Sequence, residues 1–111
     1  MARTHQELEE RSLAMHRLVA EKIRRDPRLL EVVRSNISRW RPTLSAATLP
    51  YVDRWAQLLD VGLDALLESA TEDSERARTL RQSSPFAGVL SEEERLAFLA
   101  TWKRTHDPRG A

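Results

Sequence analysis

The chain has 111 residues, 41% of them hydrophobic and 32% charged, with a formal net charge of +1, a balance that is typical of folded domains rather than of disordered chains. It has no cysteine, which excludes a disulfide framework, a thiolate metal site and a cysteine nucleophile. No apolar run approaches the roughly 20 residues that cross a bilayer, and the N-terminal MARTHQELEERS is charged rather than signal-like, so we expect a cytoplasmic protein without a membrane contact.

Two amphipathic helices are predicted within residues 1–41. In the first, from about Glu7 to Arg25, apolar side chains recur every three or four positions and share one helical face, namely Leu8, Met15, Leu18, Val19 and Ile23. Asp26 and Pro27 separate the helices, because aspartate is a preferred N-cap and proline suits the first helical position. The second helix has one apolar stripe, Leu29, Leu30, Val33, Ile37 and Trp40, and a cationic opposite face.

A third helix is predicted over residues 50–69, after an uncharged loop at 42–50 that has a proline at each end. Its apolar face is broad and consists of Val52, Trp55, Leu58, Leu59, Leu63, Leu66 and Leu67. Gly62 lies inside this pattern and costs about 1 kcal/mol relative to alanine. We expect a packed helix to tolerate that cost and to continue through Gly62.

Two C-terminal helices are predicted within residues 72–105, on either side of a loop at 83–90. The first of them, ending near Gln82, is short and needs tertiary support. The second begins after Ser91, because Ser91 and Glu94 fit a capping box. Its apolar face is formed by Leu96, Leu99 and Trp102.

These elements together predict an all-α fold. We expect one domain over residues 1–111, built as a small bundle of four to five helices whose neighbours run antiparallel because the connections are short. The oligomeric state does not follow from the pattern.

The charges are distributed unevenly along the chain. Residues 17–41 hold eight basic and three acidic side chains, a net charge of +5, whereas residues 42–74 hold one basic and six acidic side chains, a net charge of −5. Such asymmetry either steers the encounter with a charged partner or reflects attraction between basic and acidic helices inside the fold.

Catalytic and metal-binding patterns are not found in the sequence. The three histidines lack the paired helical spacing of a zinc site. Asp60 and Asp64 are one helical turn apart, but Glu68 extends the same row as on a solvated face. Ser83 and Ser84 have no histidine nearby in sequence, and a glycine-rich phosphate loop is absent. We therefore expect a protein that is not an enzyme and that needs no cofactor.

The loop sequence SSPFAG allows two interpretations. In one, Phe86, Val89 and Leu90 fold back to fill the core. In the other, Phe86 anchors a partner protein with Arg81 beside it, because aromatic and arginine side chains dominate interface hot spots.

A family resemblance adds to this reading. The segments SLAMHRLVAEKIRRDPRLLEVVRSNISRW and LRQSSPFAGVLSEEERLAF resemble small helical bacterial proteins encoded beside toxin genes, the antitoxins of type II toxin–antitoxin pairs. The resemblance covers roughly residues 12–102. The toxins it suggests are nucleotidyltransferase-like enzymes of the kind that modify transfer RNA.

This resemblance implies a binding protein that neutralises a cognate toxin by occluding its active site. The residues expected to contact the toxin are Arg39, Arg41, Arg81, Ser84, Pro85 and Phe86. The alternative is a DNA-binding transcriptional regulator that uses the basic second helix, although no helix-turn-helix signature is evident.

Overall fold

The computed structural model describes residues 4–106. Over these residues the protein is all-helical, with six α-helices and no strand. The helices are α1 (His5–Arg25), α2 (Leu30–Trp40), α3 (Leu49–Val61), α4 (Leu63–Thr71), α5 (Glu75–Arg81) and α6 (Glu92–His106), with 3₁₀ turns at Pro27–Leu29 and Arg41–Thr43. The all-α class is confirmed, and the helix count exceeds the predicted four to five.

Gly62 accounts for the additional helix. The predicted helix over 50–69 is broken there, because Gly62 adopts φ 144° and ψ 175°, which ends α3 and begins α4. Its N–H still closes α3 on the carbonyl oxygen of Leu58, and its carbonyl oxygen accepts the first bond of α4, from the N–H of Leu66. The expectation of a continuous helix was therefore wrong. Glycine adopts this backbone conformation without strain, and the conformation changes the direction of the chain between α3 and α4.

The connection between α1 and α2 also differs from the prediction. Asp26 ends α1 through its own N–H, which donates to the carbonyl oxygen of Lys22 at 2.9 Å. Its carboxylate does not cap the next helix and instead accepts two hydrogen bonds from the Arg28 guanidinium. Pro27 begins a 3₁₀ turn, and α2 follows from Leu30.

The core lies where α4 packs against α1 and α3, with α2 and α5 closing its sides. Trp55 of α3 lies at its centre, fully buried, and its indole N–H donates to the carbonyl oxygen of Leu80 at 2.9 Å. The buried apolar residues include Val19, Ile23, Val33, Ile37, Val52, Leu58, Leu59, Leu66, Leu67, Ala70, Phe86, Val89 and Leu90. The last three come from the segment that was predicted as a loop.

The start of α6 is as predicted, but its apolar face is not in the core. Ser91 and Glu94 form the reciprocal capping box, with the Glu94 N–H donating to the Ser91 hydroxyl at 3.1 Å and the Ser91 N–H donating to the Glu94 carboxylate at 2.8 Å. Yet α6 alone among the six described helices has no buried residue. The domain leaves much of this helix uncovered.

Candidate functional site

The segment 83–90 folds back and fills one side of the core in this structure, and we call it the plug. Phe86 is 5% exposed and packs edge-to-face against Trp55 and His16, with ring centroids 5.4 and 5.6 Å away. Val89 and Leu90 are buried beside it. The first of the two interpretations of SSPFAG is therefore confirmed.

Asn36 holds this plug from the middle of α2. Its buried amide donates to the carbonyl oxygens of Pro85 and Ala87 at 2.9 and 2.8 Å, and its own carbonyl oxygen accepts from Arg39 at 2.8 Å. Gly88 follows with φ 86°, a conformation that glycine adopts without strain. Asn36 could not be identified from the sequence pattern, because its two partners lie about 50 residues away along the chain.

Arg81 is buried as well, 6% exposed, although it was predicted on a partner-binding surface. One guanidinium nitrogen, Nη1, donates to the carbonyl oxygens of Ala70 and Glu72 at 3.2 and 2.9 Å. These carbonyls lie at the C-terminal end of α4, where a cation opposes the negative end of the helix dipole. Burial, followed by the positive charge of Arg78, lowers the pKa of Arg81.

The other residues that were predicted to contact a toxin differ from one another in exposure. Pro85 is fully buried and Ser84 is half-buried. Arg39 is exposed beside the plug, and Arg41 forms an exposed ion pair with Asp53 at 2.8 Å. As placed here, Arg81, Pro85 and Phe86 present no open surface to a partner.

The basic segment 17–41 is partly neutralised by neighbouring carboxylates. Five of its eight basic side chains make ion pairs: Lys22 with Glu94, Arg24 with Asp64, Arg28 with Asp26, Arg34 with Glu31, and Arg41 with Asp53. The pairs of Arg24 and Arg41 join the basic segment to the acidic one at 42–74. Part of the charge asymmetry is thus used inside the fold.

His16 is a buried histidine that the apolar pattern of α1 did not reveal. It is 7% exposed, and its Nδ1 lies 2.7 Å from the carbonyl oxygen of Ser12. Nε2 has no hydrogen-bond partner among the residues described. Burial lowers the pKa of His16, the bond to Ser12 opposes that shift, and the nearby Arg81 charge adds to it. The ring is therefore neutral at pH 7.

One side of α6 carries a partly exposed row of aromatic and aliphatic side chains. Leu96 is 52% exposed, and Phe98, Leu99 and Trp102 are half-buried. The rings of Phe98 and Trp102 stack with centroids 6.1 Å apart, and that of His106 stacks on Trp102 at 3.5 Å. We define the aromatic face of α6 as these five residues.

Residues 4–106 contain no group of three or more histidine, aspartate or glutamate side chains placed to hold a metal ion. None of the helices described is long and apolar enough to cross a membrane.

Comparison with protein-family models, curated proteins and solved structures found no match to this chain.

Proposed function

We propose that the protein acts by binding another protein, as an antitoxin-like partner that occludes the active site of a toxin. The observation that carries this proposal is α6, a 15-residue helix with no buried side chain and with four large apolar residues on it. Its first turn is held by the Ser91–Glu94 capping box, by a Glu92–Arg95 ion pair at 2.7 Å and by an ion pair between Glu94 and Lys22 of α1.

Such a helix suits recognition in a partner's groove. Helices that bind in this way present apolar anchors at three- and four-residue spacings, and Leu96, Leu99 and Trp102 have that spacing. Tryptophan is also the residue type most enriched in interface hot spots. We therefore assign the partner-binding role to the aromatic face of α6 rather than to Arg81 and Phe86.

The charges of α6 fit the kind of toxin suggested by the family resemblance. Its first turn carries Glu92, Glu93 and Glu94, of which the first two are exposed. Glu92 pairs with Arg95 and Glu94 with Lys22, which leaves Glu93 as the carboxylate without an ion pair among the residues described. An enzyme that handles nucleotides and RNA has an electropositive groove, and acidic side chains complement such a surface. Occlusion of this kind requires no catalytic group on the binding protein.

The test is co-expression with the product of the neighbouring reading frame, scored for rescue of growth and for complex formation with purified chains. Trp102→Ala together with Phe98→Ala should weaken the complex at least tenfold, since hot-spot truncations cost about 2 kcal/mol or more. Tyr51→Ala is the control, because Tyr51 is an exposed aromatic residue on α3, outside the aromatic face of α6. Rescue and affinity unchanged by the α6 substitutions would reject this site.

The DNA-binding alternative has a separate test. The ion pairs of segment 17–41 leave few of its basic side chains available to phosphates. A DNA affinity that falls steeply with added salt would nevertheless favour a regulator over a toxin-binding protein.

A further inference from the structure

Four residues of α6 form one row along the helix. Glu92, Leu96, Leu99 and Lys103 follow one another at spacings of four, three and four positions, which keeps them on one face of an α-helix. Glu92, Leu96 and Lys103 are exposed, and Leu99 is half-buried. We call these four residues the α6 row. Its spacing is that of the contact row in a pair of coiled helices.

The domain holds α6 by a different side. Phe98 and Trp102 are half-buried, and Glu94 forms an ion pair with Lys22 of α1. At 3.6 residues per turn, these three residues of α6 lie next to one another, about a third of a turn around the helix from the α6 row. The packing within one chain therefore leaves most of this row to solvent.

The order of residues along the α6 row is complementary to its own reverse. When two copies of α6 run antiparallel, Leu96 of each copy faces Leu99 of the other. Glu92 of each copy then faces Lys103 of the other, because both pairs are centred on the same point of the helix, between positions 97 and 98. A parallel pair would instead place like charges opposite each other at both ends. The charges thus favour an antiparallel second copy.

The dipole of a single helix does not account for this arrangement. Acidic residues in the first turn and basic residues in the last turn of α6 do suit its own dipole. That effect is also supplied by Glu93 and Arg104, which lie off the row. It does not require that opposite charges share a face with two leucines, at equal distances from their midpoint.

We propose that the α6 row binds a second copy of this chain, as an antiparallel and two-fold symmetric pair of helices. Two leucine layers form the centre of the contact, and an ion pair between Glu92 and Lys103 closes each end. Small contacts of this kind are transient, so monomer and dimer exchange. Because the toxin is assigned to the same helix, a toxin and a second copy exclude each other, and this last consequence rests on the proposed function.

The experiment is analytical ultracentrifugation of the purified full chain over a wide range of concentrations, at low ionic strength because salt screens exposed ion pairs. The average mass of the wild type should rise with concentration from that of one chain towards that of two. Glu92→Lys and Lys103→Glu should each raise the dissociation constant roughly tenfold, because symmetry places a like-charge contact at both ends. An equimolar mixture of the two variants should associate again, because every end contact then joins opposite charges.

Arg104→Glu is the matched control, since it makes the same charge change one position away from the α6 row, at another exposed residue. It should associate as the wild type does. A wild type that stays monomeric at every concentration would overturn the proposal and leave α6 to a different protein. Single variants that associate normally, or a mixture that stays monomeric, would equally overturn it. These measurements need no toxin, so their outcome is separate from that of the growth-rescue experiment.

Discussion

The side-chain amide of Asn36 donates to the carbonyl oxygen of Pro85 at 2.9 Å, across 49 positions of the chain. A second bond from the same nitrogen to Ala87, at 2.8 Å, makes Asn36 a clamp on the segment that closes the core. Both carbonyls belong to backbone that forms no helix of its own. Their hydrogen bonding therefore depends on one side chain.

Asn36→Ala should lower the free energy of unfolding by on the order of 2–4 kcal/mol, because two carbonyl oxygens of a largely buried segment lose their donor. Denaturant unfolding followed by circular dichroism measures this change. Ser35→Ala, at an exposed position of the same helix, should change stability by less than about 0.5 kcal/mol. Equal midpoints for the two variants would show that Asn36 does not hold the plug.

The two phenylalanines should differ sharply when each is truncated. Phe86→Ala removes a ring enclosed by Trp55 and His16 and should cost about 3–5 kcal/mol. Phe98→Ala removes a half-buried ring from α6 and should cost about 1 kcal/mol or less. The same denaturation experiment compares them, and similar losses would contradict the placement of Phe86 in the core and of Phe98 outside it.

Local pattern explains which parts of this fold could be predicted. The apolar stripes of α1 and α2 and the Ser91–Glu94 cap depend on residues within about one turn of each other, so the sequence contains them directly. The burial of Phe86 and Arg81 depends instead on Asn36 and on the end of α4, which are distant along the chain. Likewise, the apolar spacing of α6 resembles that of a core helix, and only the packing of the other five helices shows that it is left uncovered.

The stability of the protein should fall as the medium is acidified below the ordinary imidazole pKa of about 6.5. Burial lowers the pKa of His16 in the folded protein, so the unfolded chain binds more protons in this range. The stabilising contribution of neutral His16 is therefore complete above about pH 7 and is lost progressively as the pH falls through and below 6.5. The protonated ring would also face the positive charge of Arg81.

Denaturant midpoints measured between about pH 7.5 and 5 test this dependence. His16→Gln should flatten it, whatever the variant's stability at neutral pH. Asp26, Glu92 and Glu94 contribute little in this window, because carboxyl groups in the unfolded chain have pKa values of about 4. Hydrogen bonds lower the pKa values of Asp26 and Glu92 and bring that of Glu94 to about 2 in the folded protein, so their stabilising contribution is lost only below about pH 5. A slope equally steep in His16→Gln would contradict the assignment.

The stability change caused by Gly62→Ala has opposite signs for the helix break seen in the structure and for the continuous helix that the sequence pattern predicts. In a continuous helix alanine would stabilise the protein by about 1 kcal/mol. In the structure the φ of 144° places Gly62 where residues with a side chain are strained, so alanine should instead destabilise it by roughly 1–3 kcal/mol. An added Cβ would meet no described atom within 4 Å, so the loss reflects backbone conformation and not a clash. Ser69→Ala, at a half-buried position within α4, is the control for helix propensity. A stabilised Gly62→Ala variant would mean that α3 and α4 form one helix, as the sequence pattern predicts.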